Sequence, residues 1–162
     1  MTKVLFQGSF DPFTKGHEYV VSEILKAFDE VVIAVMKNSK KGNGFFTFDE
    51  RKALIEEIYK SNKRVHIISA GEKDAAVRIA KQNGCIAMVR GLRNSEDFVM
   101  EQTNAKRSRI IDDSFLTIAI FTDSETDVIS SSFVKAMFSC GESIEALVHP
   151  CVKVAMESKN KF

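Results

Sequence analysis

A chain of 162 residues, 44% of them hydrophobic, has the length of one domain and enough apolar content to bury a single core. Lys and Arg total 23 against 22 Asp and Glu, so the formal charge of +1 excludes a global field that would attract nucleic acid or a membrane surface. Met1 to Phe6 lacks a long apolar segment, and no stretch approaches the roughly 18 apolar residues of a membrane span, which predicts a soluble, cytoplasmic protein.

In chain order, Lys3 to Gln7 reads as a strand that stops at Gly8, and a turn-rich stretch to Gly16 leads into a helix. Val20, Val21, Ile24, Leu25 and Phe28 recur at helical spacing, so this helix runs from about His17 to Phe28 with His17 opening it. Val31 to Met36 is the continuous apolar run of a strand buried on both faces, and Lys37 to Gly44 is a polar loop. Thr47 and Glu50 form a capping box for a helix ending near Lys60, followed by a strand at Val65 to Ser69. A helix from Asp74 to Gln82 stops before Gly84, and Cys85 to Val89 reads as the fourth strand with Arg90 at its end. Asn94 to Ile111 is helical, yet its face through Phe98, Glu101, Gln102, Ala105 and Arg109 is too polar for a core and predicts a site or an interface. Leu116 to Phe121 is the fifth strand, Ser130 to Ser132 cap a helix ending near Gly141, and Pro150 starts the last helix. Cys85, Cys140 and Cys151 form no CxxC pair and no even set, so they are expected to be reduced packing residues.

This alternation predicts one α/β domain spanning residues 1–162, a doubly wound, Rossmann-like, five-stranded parallel sheet with helices on both faces. Ligands in such sheets bind beyond the carboxyl ends of the strands. Four strand-end segments carry phosphate-compatible groups there. Gly8-Ser9-Phe10-Asp11-Pro12-Phe13-Thr14-Lys15-Gly16-His17 joins the first strand to the first helix, where glycines admit an anion to the helix N-terminus. An imidazole at His17, protonated or donating a neutral N–H, would stabilise charge on a phosphoryl oxygen. Taken alone, His17 reads more readily as a surface residue at a helix start than as a catalytic group, with Asp11-Pro12 as turn punctuation. Arg90-Gly91-Leu92-Arg93 brings two guanidinium groups to the same edge, although arginines in a loop are often merely solvated. Ser130, Ser131 and Ser132 exceed the single hydroxyl that an N-cap needs, which suggests donors for a polyphosphate tail. Lys40 and Lys41 lie in the loop after the second strand, where either could reach an acceptor phosphate.

These residues resemble the phosphopantetheine adenylyltransferase family, within the nucleotidyltransferase superfamily that carries an (H/T)xGH motif, here Thr14-Lys15-Gly16-His17. The first motif specifies the superfamily; Arg90 to Arg93 with Asp97, Phe98 and Glu101, and Ile129 to Ser132 followed by Val134 and Lys135, narrow it. The resemblance implies transfer of AMP from ATP to 4′-phosphopantetheine, giving dephospho-coenzyme A and pyrophosphate, with Mg²⁺ and in a homohexamer. It implies ATP contacts at Ser9, Phe10, His17, Gly91, Leu92, Arg93, Glu101, Thr126, Asp127, Val128, Ile129 and Ser130 to Ser132. It further implies acceptor contacts at Ser9, Lys41, Ala76 and Arg90, with Lys40 replacing Lys41 if the extra residue before Phe45 shifts the register. His17, Lys41 and Arg90 form the implied catalytic set, with no protein metal ligand. The chain departs from the family at Phe6-Gln7-Gly8, usually Tyr-Pro-Gly, and at Thr126 or Asp127, usually aromatic. Ala75 and Ala76 stand where the family has a bulky apolar pair. A cytidylyltransferase and a non-catalytic nucleotide sensor are the rival readings.

Overall fold

The computed structural model describes residues 1–37, 44–71, 75–123 and 126–159. Its element order is β1 (Lys3–Gly8), α1 (Lys15–Ala27), β2 (Glu30–Met36), α2 (Phe48–Tyr59), β3 (Val65–Ala70), α3 (Ala76–Gln82), β4 (Ala87–Leu92), α4 (Ser95–Ile111), β5 (Leu116–Phe121), α5 (Ser131–Ser139) and α6 (Pro150–Lys159). The five strands pair in parallel in the order β3-β2-β1-β4-β5. The chain moves outward in one direction from β1 to β3, then restarts on the other side of β1 with β4. Adjacent loops therefore part company above β1 and β4, and this leaves a crevice at their carboxyl ends.

The apolar runs of β1, β2 and β4 are buried on both faces because helices cover both, whereas the edge strand β5 stays partly exposed. Val4, Phe6, Ile33 and Val89 pack with Val20, Val21 and Ile24 of α1 and Ile55 of α2. Leu5, Val32, Ala34 and Met88 point the other way, onto Val77 and Ala80 of α3. A third cluster joins Phe46 and Ile129 to Val134 of α5 and Val152 and Met156 of α6. It fixes the start of α5 beside α1. Gly16 is required there by space, since a Cβ would lie 2.9 Å from the Ile129 carbonyl oxygen.

Four boundary or burial expectations are corrected. First, α1 begins at Lys15 with Thr14 as its N-cap, so His17 is the third helical residue and does not open the helix. Second, β4 starts at Ala87, because the Cys85 N–H still closes the end of α3 on the Ala80 carbonyl. The strand then continues to Leu92 in register with Phe121, which takes Arg90, Gly91 and Leu92 into the strand. Third, the covered face of α4 runs through Asp97, Glu101, Asn104, Ala105 and Ser108: Glu101 and Ala105 of the expected face are half-buried, whereas Gln102 and Arg109 are exposed and Phe98 is 51% exposed. The covered face is offset from the expectation because the apolar residues of α4, Phe98 to Met100 and Ile110 to Ile111, are not spaced along one stripe and so do not set its phase. Fourth, Cys140 is exposed at the C-cap of α5 and is no packing residue, while all three cysteines are free thiols. Asp74, expected to begin α3, lies outside the described residues.

Candidate active site

The loop from Ser9 to Thr14 is shaped from within. Phe10 takes a left-handed backbone conformation with φ 50°, uncommon for a bulky residue, and its ring is buried beneath the loop. Asp11 is more than turn punctuation. Its carboxylate accepts the Phe45 and Phe46 N–H groups at 2.9 and 2.8 Å and pairs with Lys135 of α5 at 3.3 Å. From α2, the buried Arg51 guanidinium donates to the Ser9 carbonyl and, at 3.3 Å, to the Met36 carbonyl at the end of β2. Two side chains outside the crevice thus tie three strand-end segments together.

His17 is oriented by the turn that caps its own helix. The Thr14 N–H donates to His17 Nδ1 at 3.0 Å, the role that a Glu or Gln plays in a capping box. Nδ1 is therefore an acceptor, and the ring proton sits on Nε2. The rings of Phe10 and Phe13 lie 5.0 and 5.1 Å from the imidazole. Burial among them, and next the charge of Arg93, push the His17 pKa down to about 3. Of the two forms the sequence left open, the neutral N–H donor is the one present at neutral pH.

On β4, Arg90 donates from Nη1 to the Gln7 carbonyl at 3.1 Å and pairs through Nε with Glu101 at 3.0 Å. Both side chains are largely buried, which holds the guanidinium in one place and leaves its remaining N–H groups for a ligand. Arg93 is held by a two-pronged pair to Asp97, at 2.8 and 3.0 Å, and Asp97 is itself fixed by the Arg93 N–H and by Asn94 capping α4. The serine turn is less free than three hydroxyls suggest. Ser130 Oγ accepts the Phe133 N–H as the N-cap of α5, and Ser131 Oγ donates to the Pro12 carbonyl at 2.8 Å. Ser130 keeps its own proton to give; Ser131 does not. Ser132 is exposed beside the unpaired N–H groups of the helix start.

These parts enclose a crevice of about 340 Å³, within the size range of small-molecule sites. Of the expected residues, it gathers Ser9, Phe10, His17, Arg90, Gly91, Arg93, Glu101, Ile129 and Ser130 to Ser132. Phe10 is among them although it is almost wholly buried. Leu92, Thr126, Asp127, Val128 and Ala76 are not in its wall. Leu92 is buried, with its carbonyl occupied by Thr122, and Val128 points outward, 62% exposed. The Thr126 hydroxyl and N–H are taken by Asp123, and Ala76 packs into the α3-side core. Lys40 and Lys41 lie outside the described residues. Gln7, Val20, Met100 and Thr122 line the crevice without having been singled out as site residues.

A dinucleotide-type sheet with a neutral imidazole donor, two fixed arginines and a capped helix start at one edge has the chemistry of nucleotidyl transfer. Residues 5–137 match the Cytidylyltransferase-like family, which places the chain among the nucleotidyltransferases. Phosphopantetheine adenylyltransferase of Lactobacillus johnsonii is 35% identical over 159 residues, 98% of this chain and 95% of its own. The Flavobacterium johnsoniae enzyme of that name is 37% identical over 158 residues, covering 95% and 99% of the two chains. The chain belongs to the phosphopantetheine adenylyltransferase family. Its fold also superposes, with a TM-score of 0.66 at 17% identity, on a Vibrio parahaemolyticus protein assigned as a nicotinate-nucleotide adenylyltransferase, over 96% of this chain and 99% of that one.

Proposed function

We propose that the chain transfers AMP from ATP to 4′-phosphopantetheine, releasing pyrophosphate and dephospho-coenzyme A. The observation that carries the chemistry is the fixed His17 Nε2–H, in the same crevice wall as Arg90, Arg93 and the α5 start. The second pKa of a phosphate monoester is about 6, so the acceptor is mostly a dianion at neutral pH and needs no general base. The protein has to hold two mutually repelling anions in line and stabilise charge on the α-phosphate and the departing pyrophosphate. Arg90 and Lys41, or Lys40 in its place, hold the acceptor phosphate; Arg93, Ser130, Ser132 and the α5 N-terminus hold the ATP tail; His17 donates to the phosphoryl group as its charge rises.

Mg²⁺ brought in with ATP would supply charge neutralisation on its phosphates, with no protein carboxylate needed to hold it. Among the described residues, Glu101 is the one carboxylate in the crevice wall and is committed to Arg90, and no cluster of three His, Cys, Asp or Glu forms a cage. That donor set fits a metal that keeps its waters and phosphate oxygens. No described helix is long and apolar enough to cross a membrane, and a cytoplasmic setting suits the three free thiols. Incubating the protein with Mg²⁺, ATP and 4′-phosphopantetheine should yield dephospho-coenzyme A by mass spectrometry, with CTP a poor replacement. No product, or product with CTP alone, overturns this reading.

The homohexamer implied by the family is supported by an unpartnered apolar surface. Val99 and Ile110 of α4 are 62% and 86% exposed, and the edge strand β5 presents Leu116 and Phe121 at 55% and 77%. Exposed edges and apolar patches of this kind are normally covered in an assembly. Light scattering should give six times the 18.1 kDa chain mass, and Ile110→Glu should shift the protein to smaller species. A monomeric wild type sinks the proposal.

A further inference from the structure

The crevice contains one polar group that nothing described in the protein satisfies: the Gln7 side-chain oxygen, buried and without a hydrogen-bond partner. Gln7 is the penultimate residue of the central strand. β1 and β2 stay in unbroken register from Lys3 opposite Glu30 to Gly8 opposite Val35, so Gln7 shares the face of Leu5, towards α3 and α4. Its own carbonyl is held by Arg90 at 3.1 Å, so the backbone is fixed while the amide above it is not. An apolar residue would fill the position without stranding a polar atom, and unmet buried polar atoms are rare in native structures.

The side of the sheet decides which substrate meets this amide. The start of α5 lies on the α1 side, where a Gly16 Cβ would touch Ile129 and Ser131 bonds Pro12. Attacking and leaving oxygens of a phosphoryl transfer are roughly in line, so the acceptor enters opposite the pyrophosphate. Resting on the proposed reaction, with the ATP tail at the α5 start, that places Gln7 on the acceptor's side.

We propose that Gln7 is a specificity-determining contact, whose carboxamide hydrogen-bonds the amide-bearing arm of the acceptor beyond its phosphate. Both assignments of the amide atoms serve this role. An oxygen in the buried position accepts an arm N–H or hydroxyl, and a nitrogen donates to an arm carbonyl. The contact discriminates strongly, because an acceptor without such groups leaves the buried amide unmet in the complex.

The test compares wild type with Gln7→Met, which keeps the length of the side chain, and Gln7→Ala. ATP and 4′-phosphopantetheine are titrated separately by calorimetry, kinetics are measured in each substrate, and melting temperatures are recorded. The expected result for both variants is an acceptor affinity about tenfold weaker, with ATP affinity and kcat within a fewfold of wild type. The melting temperature should hold or rise, since an unmet buried group has been removed; a structural role for Gln7 would lower it. Unchanged acceptor affinity in a wild type that makes dephospho-coenzyme A overturns the proposal alone. A loss shared equally by ATP also overturns it. A wild type that makes no dephospho-coenzyme A overturns the proposed reaction, and the assignment of Gln7 falls with it.

Discussion

His17→Ala should lower turnover a hundredfold or more, about 3 kcal/mol of transition-state stabilisation, while ATP affinity changes little. The imidazole gains most when charge accumulates on the phosphoryl oxygens, so its contribution appears in kcat more than in ground-state binding. Its alignment comes from the Thr14 N–H on Nδ1, which leaves Nε2–H as the only ring donor. Steady-state kinetics with calorimetric ATP titration separate the two effects. Near-normal turnover in the variant reduces His17 to a helix-start residue.

The protonation state adds a second signature to that variant. Burial and then Arg93 hold the folded-state pKa of His17 near 3, below the ordinary value of 6.5. Between those values the unfolded chain binds the proton and the folded chain does not. His17 therefore contributes stability above about pH 6.5 that is lost progressively as pH falls towards 3. His17→Ala should flatten the decline of melting temperature over that window. The kcat/KM profile of the wild type for the acceptor should carry no histidine limb, and the fall below about pH 6 that protonation of the free acceptor phosphate causes should remain.

Strand and helix alternation was legible because the two periods differ and the central strands are buried on both faces: Val31 to Met36 could be little else. Where local signals were weak, boundaries moved. Nothing in Cys85 to Val89 marks where α3 releases the chain, and only the pairing partner β5 extends the strand through Leu92. The site was readable wherever residue type and strand-end position coincided, as at His17, Arg90 and Arg93. It was less so for shared hydroxyls: Ser131 reads as a phosphate donor until Pro12, 119 residues away, is seen to take its proton. Gln7 carried a signal in the alternation, a polar residue next to the end of an apolar strand on a covered face. Asp11 and Arg51 carried none, because their partners are backbone groups that a sequence does not display.

Asp11→Ala is expected to have the largest structural effect. It strands the Phe45 and Phe46 N–H groups and leaves Lys135 without its partner, all in one substitution. Hydrogen bonds to a charged acceptor contribute more than neutral ones, and the donors left behind bear a desolvation penalty, so a loss of about 2–4 kcal/mol is expected. For a chain of this size that lowers the melting temperature by roughly 5–15 °C. Asp11→Asn keeps one acceptor oxygen but gives up the charge opposite Lys135, and should fall between Asp11→Ala and wild type. Gly44 supplies the control. Its φ is +61° and a Cβ would lie 2.8 Å from Asp11 Oδ2, so Gly44→Ala combines backbone strain with a collision against the same carboxylate. In the Asp11→Ala background the collision is gone and only the backbone strain remains. Gly44→Ala should therefore cost measurably less there than in wild type, a coupling that a double-mutant cycle reads directly from calorimetric unfolding. If the two substitutions are additive, Asp11 does not hold the 44–46 turn, and the clamp between the first loop, this turn and α5 is not what stabilises the site.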